Sequence, residues 1–174
     1  AKDAGWEFMG HGWVQGPMHK VEDQRAAIRD TVAAIREFTG KAPRGWESPG
    51  LTETDETIDL LAEEGIEYVA DWVFDDQPAY IRTRSRPVVS VPYTVETNDI
   101  PMMLIQHHGS EEMLRRGIDH FDRLYAESAT ITRVMAISVH PYVTGVPHRI
   151  GYLERLYEHI RARADVMLWP GERT

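Results

Sequence analysis

The 174-residue chain holds 42% hydrophobic and 27% charged residues, an ordinary balance for one globular domain that buries about two-thirds of its unfolded surface. Its formal charge of −9, with Arg82, Arg84 and Arg86 the only dense basic group, argues against nucleic acid or an anionic membrane as partner. Cysteine is absent, which removes disulfides, thiolate metal sites and cysteine nucleophiles, and no apolar run reaches the roughly 20 residues of a membrane span.

In chain order, residues 5–10 read as a short strand leading into a loop at His11. The start at Ala1 has no initiator methionine and runs almost directly into that strand, so an N-terminal portion is expected to precede it. No signal-peptide pattern opens the chain, and a cytoplasmic setting is the default expectation. From Val21 to Phe38, Ile28, Val32 and Ile35 recur at helical steps before Gly40 and Pro43, which predicts an amphipathic helix. Residues 44–47 form a connector or strand, and Thr52 with Asp55 resembles a cap for a second helix ending at Gly65. Residues 66–70 predict a strand ending at Asp71, and residues 73–98 strand fragments within a long loop. A third helix is expected from about Ser110, through Leu114, Ile118, Phe121 and Tyr125. Residues 132–139 are the most apolar run, continuous rather than alternating, as in a strand buried on both faces of a parallel sheet. A last helix over 148–163 and a strand at 166–168 complete an α/β order.

The polar candidates follow strand ends: His11, Glu47, Asp71 and His140. In parallel α/β folds those ends line one rim, where ligands bind. Any one of these histidines, taken alone, also reads as a loop or core residue; the shared placement is what makes them a site. A neutral imidazole at His140, set at the rim by Pro141, suits general acid or base work. Glu7, His11 and Gln15 stand four apart, but an amide at Gln15 is a poor ligand where a second histidine would be a good one. Asp75 and Asp76 read as a turn or a substrate clamp. Trp13, Trp46 and Trp72 neighbour the polar candidates and are expected to form apolar walls of a small pocket.

These motifs resemble the polysaccharide deacetylase superfamily. Glu7-Phe8-Met9-Gly10-His11 is similar to its Glu-x-x-x-His metal motif, residues 39–46 to the link into its third motif, and Val139-His140-Pro141 to its last. The resemblance implies a distorted β/α barrel, here one catalytic domain over 1–174 that lacks its N-terminal strand or strands, with His140 as catalytic acid. The paired aspartates of the first motif are not found, the second metal histidine is Gln15, and the arginine of the third motif is Glu47. Those departures look more like the metal-independent allantoinase branch, as do His11-Gly12-Trp13, Gly45-Trp46 and His140-Pro141-Tyr142-Val143-Thr144-Gly145.

The resemblance implies a hydrolase of non-peptide carbon–nitrogen bonds, opening a cyclic ureide or amide, in bacterial purine catabolism or carbohydrate metabolism. His140, Glu47 and Asp71 are the expected catalytic residues. His11, Gln15, Trp13, Trp46, Trp72, Glu7, Asp75 and Asp76 are the expected substrate contacts. No cofactor is expected, the partner is a small amide or ureide, and a homo-oligomer is anticipated. One alternative is a deacetylase of peptidoglycan or another N-acetylated saccharide, using zinc with His11 as ligand. Another is an inactive binding module of the same fold.

Overall fold

In the computed structural model, residues 1–173 are described, residue 172 by its backbone alone. The chain forms two compact units. The first comprises Ala1–Phe74, Pro78–Val91 and the residues from Trp169; the second comprises Asp75–Gln77 and Pro92–Leu168.

The first unit is built on a four-stranded sheet of order β1-β2-β4-β3, with β1 at Gly45–Trp46, β2 at Tyr68–Val69, β3 at Ala79–Ile81 and β4 at Val88–Ser90. β1, β2 and β4 run parallel and β3 antiparallel to β4. Helix α1, Gln24–Thr39, starts where Asp23 accepts the Ala26 N–H at 2.9 Å and stops at Gly40, whose φ of 87° is left-handed. Its buried residues are Ile28, Thr31 and Val32; Ile28 and Val32 follow the predicted spacing, while Ile35 is only half-buried. Phe38, at the end of the predicted stripe, is 61% exposed and meets Phe8 edge-on. Helix α2, Thr57–Glu63, begins later than the Thr52–Asp55 cap predicts, because the Thr57 hydroxyl instead receives the Thr54 N–H and donates to Gln24. Ile28, Val32, Leu61, Ile66, Val69 and Val88 close the core. The expected strand at 5–10 shrinks to a single parallel bridge, Gly10 to Trp46. The contact depends on glycine, since a Cβ there would lie 2.2 Å from the Trp46 ring.

The second unit rests on helices α3, Glu111–Glu127, and α4, Ile150–Arg161. Gly117 lets them approach, because a Cβ would fall 2.5 Å from Leu156, which is itself fully buried with Phe121 and Ile160 close by. A π-helical turn, Ile100–Ile105, buries Met102 and Met103 against Met113 and Val143.

The structure corrects two strand expectations here. Residues 132–139 form no ladder: Ser138 bridges only Asn98, the run is half-buried, and Val139 is 39% exposed. A continuous apolar pattern signals two-sided burial only when neighbours stand on both sides, and within this unit residues 97–99 supply one. Residues 166–168 are irregular, with Met167 71% exposed, so a β-prone triplet without a partner strand gains no ladder. Among the described residues, no helix is long and apolar enough to cross a membrane.

Candidate active site

Three expected residues leave the same sheet in the first unit. The Gly10 bridge, β1 and β2 stand side by side in parallel, and His11, Glu47 and Asp71 follow them at their carboxyl ends. His11 Nδ1 lies 2.8 Å from the Glu47 carbonyl oxygen. A carbonyl only accepts, so Nδ1 carries the proton and Nε2 keeps its lone pair.

Asp71 is 3% exposed, and both its oxygens are taken by Ser48. Oδ1 accepts the Ser48 N–H at 2.5 Å and Oδ2 its hydroxyl at 3.0 Å, while Trp46 Nε1 donates to the same hydroxyl oxygen at 3.1 Å. Burial pushes the Asp71 carboxyl up to about 7, against the lowering effect of the two Ser48 bonds; Glu53 and Glu47 add smaller upward pushes. Glu53 is raised too, by burial, and its Oε2 is buried without a hydrogen-bond partner among the described residues.

The remaining expected contacts of this unit divide sharply. Trp13 is 59% exposed, and Gln15 stands exposed beside it. Trp72 is half-buried and stacks on Phe74, with ring centroids 6.0 Å apart and planes 7° from parallel. Glu7 accepts the Tyr68 hydroxyl. Trp46 has no exposed surface, which corrects its expected role as a pocket wall: its ring packs under Gly10 in the core and its indole N–H fixes Ser48.

Asp75 and Asp76 belong to the second unit, where they fasten the short segment they occupy. Asp75 Oδ1 pairs with Arg133 at 3.3 Å and Oδ2 accepts from Gln77 at 3.1 Å. Asp76 takes the Val134 N–H on its carbonyl and stands 3.8 Å from His120.

His140 follows the Ser138 bridge and is joined to a residue that sequence reading left out of the site. Its Nδ1 lies 2.7 Å from Oδ1 of Asp99, a carboxylate with no solvent exposure. An ionised carboxylate accepts only, so Nδ1 carries the proton and Nε2 is the nitrogen left for chemistry. The side chain is 34% exposed, so it is accessible while its ring is held. Asp99 is 41 residues away in sequence, and the one local hint, a polar residue just ahead of Ile100-Pro101, does not name its partner. Ser48 and Glu53 gave no more signal, being loop residues whose value lies in what they touch.

A metal centre of the kind the deacetylase resemblance implies needs three or four donors. His11 Nε2 is one, but Gln15 is an exposed amide, and among the described residues no group of three or more His, Asp or Glu side chains gathers to hold an ion. The described residues do not make up that donor set.

Comparison with known proteins gives a consistent family setting. The putative polysaccharide deacetylase of Schizosaccharomyces pombe is 27% identical over 95% of this chain and 58% of its own length. Among solved structures, Puue allantoinase superposes with a TM-score of 0.90 at 26% identity, over 98% of this chain and 58% of that one. The probable polysaccharide deacetylase from Pseudomonas aeruginosa PAO1 does so with 0.89 at 29%, over the same shares. The chain thus spans 58% of the length of each of these three relatives. The α/β fold is theirs, with a partial sheet. The family model described as glycosyl hydrolase family 57 matches residues 10–137, most of the sequence. By that match the chain belongs to glycosyl hydrolase family 57, within the polysaccharide deacetylase-like superfamily that its relatives and its fold share.

Proposed function

We propose that this chain carries catalytic residues of a hydrolase of non-peptide carbon–nitrogen bonds that opens a cyclic ureide or amide, as an allantoinase does. The observation that carries the reading is the His140–Asp99 pair: a buried carboxylate on Nδ1 and an accessible Nε2. Amide nitrogen leaves poorly as an anion, so the rate depends on delivering a proton as the bond breaks. In the reading, the oxygen of water adds to the substrate carbonyl carbon and the tetrahedral adduct collapses. His140 Nε2, bare in the neutral ring, takes a proton from the water as its oxygen adds; on collapse the carbon–nitrogen bonding pair goes to nitrogen, which takes that proton from Nε2. Within the first unit, Ser48 occupies both oxygens of Asp71, which leaves that carboxylate poorly suited to accept a proton from water. Within the first unit, His11 Nε2 and the Gln15 amide are groups able to hydrogen-bond a ligand, and Trp13 and Trp72 offer apolar surface. No metal takes part in this scheme.

A second reading, hydrolysis of an N-acetyl group on a saccharide, draws on the names of two of the relatives and on the tautomer of His11, whose bare Nε2 is the form that ligates a metal. One experiment tests the first reading: allantoin ring opening by the full-length protein and by its His140→Ala variant. A fall in kcat of about a hundredfold or more is expected, the lower range for losing a general acid. An unchanged kcat overturns the assignment.

A further inference from the structure

We propose that Thr144 is a positioning residue that fixes the His140 ring by way of Asp99, an inference that rests on His140 being the proton donor. Asp99 receives three hydrogen bonds from a single turn. Oδ1 takes the ring Nδ1–H at 2.7 Å, while Oδ2 takes the His140 backbone N–H at 2.7 Å and the Thr144 hydroxyl at 2.6 Å. With a lone backbone amide on Oδ2, the carboxylate would keep freedom to turn about its Cβ–Cγ bond and to share Oδ1 with other donors. A second donor on Oδ2 fixes the carboxylate plane, which leaves Oδ1 aimed at the ring. Thr144 is 2% exposed, so water has no route to replace its hydroxyl.

The backbone is shaped to bring that hydroxyl in. The N–H groups of Val143 and Thr144 both reach the His140 carbonyl at 2.9 Å, and Arg149 donates to the Val143 carbonyl at 3.1 Å. Gly145 closes the turn where a Cβ would sit 2.5 Å from the Pro141 carbonyl oxygen. Val143, the neighbour of Thr144, is buried among Met102, Met103 and Met113, so the turn is anchored in the core as well. Ring, amide and hydroxyl are thereby delivered to one carboxylate by residues 140–144. The tautomer that bares Nε2 lasts only as long as Oδ1 is held opposite Nδ1.

The test uses the full-length protein with 15N-labelled histidine, compared as wild type, Thr144→Val and Thr144→Ser. Two readouts are taken: the His140 tautomer from long-range 1H–15N correlation, at a pH where the ring is neutral, and kcat and KM on allantoin and on an N-acetylglucosamine oligomer. The wild type is expected to hold the Nδ1–H tautomer alone. T144V is expected to mix the two tautomers and to lose about tenfold in kcat with KM within about twofold, and T144S to restore both. If T144V loses its far-UV circular dichroism, Thr144→Ala takes its place with the same expectation. A single Nδ1–H tautomer with unchanged kcat in the hydroxyl-free variant overturns the inference, as does a T144S that behaves like T144V. A tautomer change with no turnover of either substrate by the wild type overturns the hydrolase reading instead, and leaves the placement of Thr144 standing.

Discussion

Asp71→Asn is the perturbation whose outcome the structure constrains most tightly. The folded carboxyl is raised from 3.8 to about 7, chiefly by burial, so the fold disfavours its charged form. A raised carboxyl costs stability once the unfolded chain ionises more readily than the folded one. The penalty is absent below the unfolded value, grows as pH climbs from about 4 to about 7, and is constant above that. Three pH units at about 1.36 kcal/mol each set its ceiling at roughly 4 kcal/mol. Asparagine copies the protonated state. Its Oδ1 still accepts the Ser48 N–H, and its amide donates to the Ser48 oxygen where a protonated Oδ2 would. The Ser48 hydroxyl proton must then find another acceptor, a loss of about 1 kcal/mol. Urea unfolding of wild type and D71N at acid and alkaline pH isolates the site, because the other carboxylates are common to both proteins. D71N should be about 1 kcal/mol less stable at pH near 4 and about 2–3 kcal/mol more stable at pH near 8. A stability difference that does not change with pH would refute the reasoning.

Gly10→Ala should cost about 2–3 kcal/mol in urea unfolding, since the new methyl would lie 2.2 Å from a Trp46 ring that has no room to retreat; a cost below about 0.5 kcal/mol would mean the bridge is looser than described. Asp99→Asn should lower kcat about a hundredfold with folding retained. Thr144 and the His140 N–H keep the amide oxygen on their side, which turns the amide N–H toward Nδ1 and drives the ring proton to Nε2. The ring tautomer read by 15N shifts, alongside kcat, checks both halves of that statement.

Much of the fold was legible because helical periodicity is a local signal. The stripe Ile28–Val32 and the sequence from Leu114 to Tyr125 placed α1 and α3 within a few residues. Rim placement was legible as well, since His11, Glu47 and Asp71 do follow neighbouring parallel strands. What stayed hidden depends on pairing at a distance. Asp99 meets His140 across 41 residues, and nothing within its own segment distinguishes it from a capping aspartate. Trp46 looked like a pocket wall because it adjoins Glu47, but in a strand successive side chains point to opposite faces, and its face is the core. Residues 132–139 show the converse: an apolar run states what it could bury, and only its neighbours decide whether a ladder forms.

Chelation tests the central claim most directly. Full-length protein, stripped with chelator and verified metal-free, is given allantoin and, separately, an N-acetylglucosamine oligomer, and ring opening and acetate release are followed. The account predicts ring opening at the rate of the untreated protein. Loss of all carbon–nitrogen cleavage on chelation, regained with zinc and directed at the N-acetyl group, would contradict it.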